Sequence, residues 1–161
     1  MSSMTDSSQF LKYFDPRLFS AELRAKTKDG ALKEMVELVA KGDGVRDKAL
    51  LFEMLSRREQ LGSTGIGNGV AIPHGRSLAV VDTKVVFARS TKGIPFESID
   101  DQPAHLFFLI VAPPQDKRNE YLPLLGKIAE LVQEKSARDA LMAVEDWSGL
   151  RSVVSEALGE K

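Results

Sequence analysis

His74 is one of only two histidines in the chain, and it closes a segment dense in glycine. That segment reads Leu61-Gly62-Ser63-Thr64-Gly65-Ile66-Gly67-Asn68-Gly69-Val70-Ala71-Ile72-Pro73-His74-Gly75. A neutral imidazole is a competent nucleophile near neutral pH, one nitrogen attacking while a hydrogen bond holds the other. Glycine is favoured where the backbone takes positive φ or approaches another group closely. Gly62, Gly65, Gly67 and Gly69 therefore predict a loop with several free N–H groups, and successive amides in such a turn form an anion nest. Ser63 and Thr64 add hydroxyl donors. Arg58, a few residues upstream, adds a planar fork suited to phosphate oxygens. Phosphoryl transfer needs mostly positioning and charge stabilisation, so the set fits a histidine that accepts a phosphoryl group and hands it on.

Each feature alone has a plainer reading. A single histidine is often a surface group or a hydrogen-bonded filler, and a glycine cluster is often only a loop. The dinucleotide and P-loop templates do not apply. Gly65-x-Gly67-x-Gly69 has the wrong spacing for G-x-G-x-x-G, a strand follows it where a helix is required, and G-x-x-x-x-G-K-[ST] is absent. A hydrolase using His74 as general base lacks a nearby nucleophile or acidic orienter in sequence. No Asp/His cluster lies close enough in sequence for a hydrolytic metal site.

The surrounding pattern supplies the supports. Leu32, Met35, Val36 and Val39 predict a helix from Asp29, its N-cap, to Ala40, stopped by Gly42 and Gly44. A second helix is expected from Val45 to Glu59, with Leu51, Phe52 and Leu55 inward and Arg57 and Arg58 closing its last turn. Val70-Ala71-Ile72 reads as a short strand stopped by Pro73, with open space beside His74 at Gly75. Lys84–Arg89 is a strand, Thr91–Pro95 a turn, and His105–Ala112 a strand buried on both faces. Helices follow from Asp116 to Glu134, from a Ser136 cap to Val144, and from Asp146 or Ser148 through Leu158. Phe10, Leu11, Phe14 and Leu18 cover one edge of the core. Strands interleaved with helices give an α/β layered domain.

At 161 residues with 43% hydrophobic content, one domain spanning 1–161 is expected, its first eight residues small, polar and mobile. Twenty-two basic against 23 acidic residues leave a net charge of -1, without the basic excess of nucleic-acid binders. The chain has no cysteine, which excludes disulfides, thiolate catalysis and Cys-based zinc sites. No apolar run is long enough for a transmembrane helix, and the N-terminus lacks a secretory pattern. A cytoplasmic protein is expected.

From Arg58-Glu59 through His74-Gly75 the segment closely resembles the active-site stretch of the IIA domains of the fructose/mannitol class. These belong to the bacterial phosphotransferase system, and the resemblance is greatest to their nitrogen-regulatory branch. It continues more loosely through Gly93-Ile94-Pro95-Phe96, Asp101-Gln102-Pro103 and the Leu106–Pro113 strand, covering about 10–158. It implies one domain with a mixed β-sheet flanked by α-helices on both faces. It implies a transient phosphohistidine at Nε2 of His74, supplied by a carrier protein of the HPr or NPr type. It places Arg58 beside the phosphohistidine and matches Thr64 to a hydroxyl position of the motif. No cofactor or metal is implied. Many such domains carry a second histidine near the start of the helix after the Pro-ended strand. Here Leu122, or failing that Tyr121, takes its place. His105, at the start of the buried strand, reads as structural.

The leading functional reading is a regulatory phosphocarrier, a phosphotransferase component rather than a small-molecule enzyme. The chain contains no IIB or IIC segment, which fits regulation better than uptake. A sugar-specific IIA subunit passing phosphate to a IIB domain is the alternative. A protein-binding regulatory module without catalysis is the reading from another class.

Overall fold

The structure is a computed structural model that describes residues 10–116 and 118–158; the expectation for residues 1–8 lies outside them. After a 3₁₀ turn at Pro16–Leu18 come β1 (Phe19–Ser20), α1 (Lys28–Ala40) and α2 (Lys48–Leu61). Three short strands follow: β2 (Gly65–Gly67), β3 (Val70–Ala71) and β4 (His74–Arg76). The long strands are β5 (Lys84–Ile94) and β6 (Ala104–Ala112), and the chain then forms α3 (Tyr121–Gln133), α4 (Lys135–Ala143) and α5 (Trp147–Leu158). The strands make one mixed sheet in the order β1-β5-β6-β3-β2, with β4 also on β6. β5 and β6 are antiparallel, while β3 and β4 both run parallel to β6.

β6 is the axis of the core. Side chains on a strand alternate between faces, and here both faces are apolar. Leu106, Phe108, Ile110 and Ala112 face a layer built from α3, α4, α5 and the segment carrying Phe10 and Phe14. Phe107, Leu109 and Val111 face the opposite layer of α1 and α2. Helices thus cover both faces. Full burial of each such side chain is worth about 1.5–3 kcal/mol, so the strand that registers the site is also the most strongly held.

Several boundaries differ from expectation, each through a specific polar contact. Thr27, not Asp29, caps α1: its Oγ1 accepts from the Gly30 N–H at 3.1 Å, and Asp29 lies in the first turn. Val45 bridges to Val80, so α2 starts only after Asp47, whose carboxylate accepts from Leu50 at 3.1 Å. Phe52 is only half-buried, and the inward stripe is Leu51, Leu55, Glu59. The expected turn at Thr91–Pro95 is the irregular end of β5, where a register shift separates Arg89 from Ile94. α3 starts at Tyr121 because the Asp116 carboxylate reaches forward to accept from the Glu120 and Tyr121 N–H groups at 2.9 and 2.8 Å. α4 begins at Lys135, so Ser136 lies inside it rather than capping it.

Candidate functional site

The glycine segment is more ordered than a loop. Gly65–Gly67 and Val70–Ala71 pair antiparallel, joined by Asn68 and Gly69 with φ of 58° and 77°. Two successive positive-φ residues are what a two-residue hairpin matched to strand twist requires, and Asn-Gly supplies them at least cost. The expected nest of free amides is therefore largely filled. The Thr64 N–H donates to Glu59 at 3.1 Å, Gly65 to the Ser63 Oγ at 3.0 Å, and Asn68 to Asp100 at 3.0 Å. Ser63 in turn donates to the Phe96 carbonyl.

After Pro73 the chain resumes pairing as β4, with His74, Gly75 and Arg76 opposite Ile110, Val111 and Ala112. Strand alternation sends His74 and Arg76 to the face covered by α3, and Gly75 to the face covered by α2. The space beside Gly75 is not open. A Cβ there would lie 2.6 Å from the Met54 sulfur of α2, so only glycine lets the helix approach this closely.

The half-buried His74 ring has its Nδ1 2.6 Å from the Ile72 carbonyl oxygen. A carbonyl only accepts, so Nδ1 carries the proton and Nε2 keeps the lone pair. The Tyr121 ring, from the first turn of α3, stands 6.4 Å from the imidazole centroid at a 48° tilt. The Arg76 guanidinium lies over that phenol, 4.7 Å from the ring centroid. Arg58, half-buried at the end of α2, donates Nη1 to the Gly62 carbonyl at 2.7 Å. A guanidinium has five N–H donors, so one such bond fixes Arg58 without exhausting it. Burial pushes the Tyr121 hydroxyl above its ordinary pKa, and the positive charges of Arg76 and Arg58 pull the other way. Both cations thus act on the group next to His74.

Thr64 departs from its expected role. It is only 4% exposed, and its hydroxyl donates to Glu59 rather than facing the imidazole. Glu59, also buried, pairs with Lys28 of α1 at 2.9 Å, and Lys28 reaches Glu97 at 3.0 Å. Burial alone would lower the Lys28 pKa, but the two carboxylates outweigh it and hold the value above its ordinary range. This network anchors the turn between α2 and β2, and so holds Arg58 in place. Of the two residues expected opposite His74, Tyr121 is the one beside it, whereas Leu122 is 58% exposed. His105 is five residues along β6 from the Ile110 that pairs with His74, roughly 16 Å at strand rise. It is not part of the site.

Arg76 is the residue that sequence reasoning missed. The signal was present: two residues after His74 on an extended segment, it had to share that histidine's face.

The site thus presents a half-buried histidine whose Nδ1 bonds a main-chain carbonyl, beside a tyrosine that feels two guanidinium charges, on a mixed α/β sheet. The chain belongs to the family described as phosphoenolpyruvate-dependent sugar phosphotransferase system, EIIA 2, which matches residues 12–157. It is 36% identical over 140 residues to the nitrogen regulatory protein of Bradyrhizobium diazoefficiens, covering 87% of this chain and 90% of that one. It is 32% identical over 134 residues to the fructose-specific EIIABC component of Bacillus subtilis, covering 83% of this chain but only 21% of that longer protein. The crystal structure of the nitrogen regulatory protein IIA-Ntr from Neisseria meningitidis superposes with a TM-score of 0.80 at 31% identity, covering 89% of this chain and 97% of that one. No helix among the described residues is long and apolar enough to cross a membrane.

Proposed function

We propose that His74 accepts a phosphoryl group on Nε2 from a phosphohistidine carrier protein of the HPr or NPr type, and that the loaded protein acts as a regulatory IIA component of the nitrogen type. The observation that carries this reading is the 2.6 Å contact of Nδ1 with the Ile72 carbonyl, which leaves the Nε2 lone pair for attack. Arg58 supplies positive charge at the phosphoryl oxygens as it forms. Thr64 contributes by fixing the turn through Glu59.

Exposed leucines border the site and favour a protein, not a small molecule, as donor. Leu61 precedes the Gly62 turn and is 86% exposed, Leu78 follows Arg76 and is 76% exposed, and Leu122 adjoins Tyr121. Apolar surface gains about 25 cal/mol per Å² when covered, which favours a partner that covers these side chains on binding.

The regulatory assignment rests on likeness to nitrogen regulatory proteins at nine-tenths of their length. The test is to load the protein with a phosphorylated HPr-type carrier and mix it with fructose- and mannitol-class IIB proteins. Retention of phosphate on His74 is expected, and rapid transfer to a IIB protein would establish the sugar-specific reading instead. If acid-labile, alkali-stable phosphate appears neither on the wild type nor on His74→Gln, the chain is a binding module without phosphoryl chemistry.

A further inference from the structure

We propose that Arg76 and Tyr121 form a second wall of the phosphoryl site, both donating hydrogen bonds to the phosphoryl oxygens on His74 opposite Arg58. The inference deepens the carrier reading and rests on it.

Arg76 and His74 project to the same face of β4, two residues apart. The Arg76 guanidinium is stacked at 4.7 Å on a ring that is itself 6.4 Å from the imidazole. Stacking an arginine on an aromatic face fixes its plane while leaving its N–H fork free at the edges. The group is thus pre-oriented for a phosphate, and less freedom is lost when one arrives. Tyr121 is only 6% exposed, and its ring is held beside the imidazole at the first turn of α3. The charges that act on that hydroxyl are both cations, Arg76 and Arg58. Of the acids nearest in sequence, Glu120 pairs with Lys12 at 3.6 Å and Asp116 accepts from the backbone N–H groups of Glu120 and Tyr121.

The chemistry follows from the donor types. The Nε2 lone pair forms the new N–P bond while the carrier's own N–P bond breaks, and the carrier's ring, already protonated on its other nitrogen, leaves as a neutral imidazole. No proton moves within the site, because Nδ1–H stays on the Ile72 carbonyl. A phenol whose pKa is pushed up by burial gives a hydrogen bond but neither gains nor loses a proton near pH 7. An imidazole in the same place would titrate near pH 6.5. With tyrosine there, the wall adds no titrating group between about pH 6 and 8, so the pH dependence is left to the phosphoryl group itself.

Phosphoramidate, a small phosphoryl donor, removes carrier docking from the measurement. Wild type, Arg76→Gln, Tyr121→Phe and Tyr121→His are loaded with it and followed by ³¹P NMR. Arg76 is exposed, and Tyr121→Phe keeps the buried ring, so neither variant threatens the fold. Arg76→Gln is expected to load about tenfold more slowly and to lose phosphate several-fold faster. It should also raise the midpoint of the phosphoryl group's own titration, since a cation that favours the dianion is gone. Tyr121→Phe should shorten the phosphohistidine lifetime by about threefold without moving that midpoint as far. Tyr121→His should add an inflection near pH 6.5 to the lifetime profile. If Arg76→Gln and Tyr121→Phe match wild type in loading, lifetime and midpoint, the second wall is disproved while the carrier reading stands. If phosphoramidate does not label wild-type His74 at all, both fall together.

Discussion

Each of the two histidines donates through Nδ1 to a main-chain carbonyl, His74 to Ile72 at 2.6 Å and His105 to Ser90 at 3.0 Å. Each is half-buried, and each is registered by β6, one as the neighbour of Ile110 and the other as a member of the strand. They differ in what lies beside the ring. His74 stands next to Tyr121, whose hydroxyl feels the charges of Arg76 and Arg58. At His105 the ring is packed against Gly93, where even a Cβ would lie only 3.0 Å from Nε2. The cation lining that end, Arg138, donates to the Val132 and Gln133 carbonyls. Fixing a tautomer is thus common to both ends of the sheet. A phenol under the charge of two guanidinium groups stands beside only one of the two rings.

The sharpest test of this contrast replaces each ring in turn. His74→Ala is expected to abolish phosphate incorporation from a phosphorylated carrier. His105→Ala should load within about twofold of wild type while losing about 1–2 kcal/mol of stability in urea denaturation. Equal loading losses in both variants would erase the distinction. Next in size is the charged anchor that only the His74 end possesses. Glu59→Ala leaves Lys28 without its buried partner and frees Thr64, and should cost about 3 kcal/mol of unfolding free energy. A loss under about 1 kcal/mol would mean the pair is solvated.

Arg58→Ala tests charge rather than support. Loading should slow by about 10–100-fold with little change in melting temperature. Unchanged loading would transfer the whole electrostatic role to Arg76. The smallest effect belongs to Asp100, near the other end. Backbone N–H groups of Gln102 and Asn68 hold its carboxyl below the usual carboxylate range. A lowered pKa means its contribution is complete above about pH 4 and fades as pH falls through the lowered value. The melting-temperature gap between wild type and Asp100→Ala should therefore be small but measurable at pH 7, and should shrink toward pH 2. A gap that grew on acidification would contradict the assigned sign.

The same contrast explains what could be read from the chain beforehand. The apolar run after His105 gave β6 almost to the residue, because a strand buried on both faces leaves no polar position to misplace. The helical stripes of α1 and α2 were equally plain. Helix starts were read less well, since Thr27, Asp47 and Asp116 act through side-chain contacts that periodicity does not encode. The Asn68-Gly69 turn carried a strong hairpin signal, obscured by the glycines around it. At the site, His74 and Arg58 stood out through residue type and spacing. Tyr121 ranked only second to Leu122, because nearly fifty residues separate it from His74 and only the parallel pairing of β4 with β6 brings α3 across. At Thr64 the motif position was visible, but the buried carboxylate that takes its hydroxyl was not.

His74 is stitched through Ile110 to the stiffest rod in the molecule, and that has a bearing on how a phosphorylation event can be reported. On the proposed reading, the phosphoryl group on a loaded ring carries nearly two negative charges, held on a strand pinned to β6. The message is then electrical, read by whichever neighbour's surface tolerates or rejects an anion at His74. Backbone amide resonances should move only around β4, the α2 terminus and the start of α3, while the remainder of the spectrum stays silent.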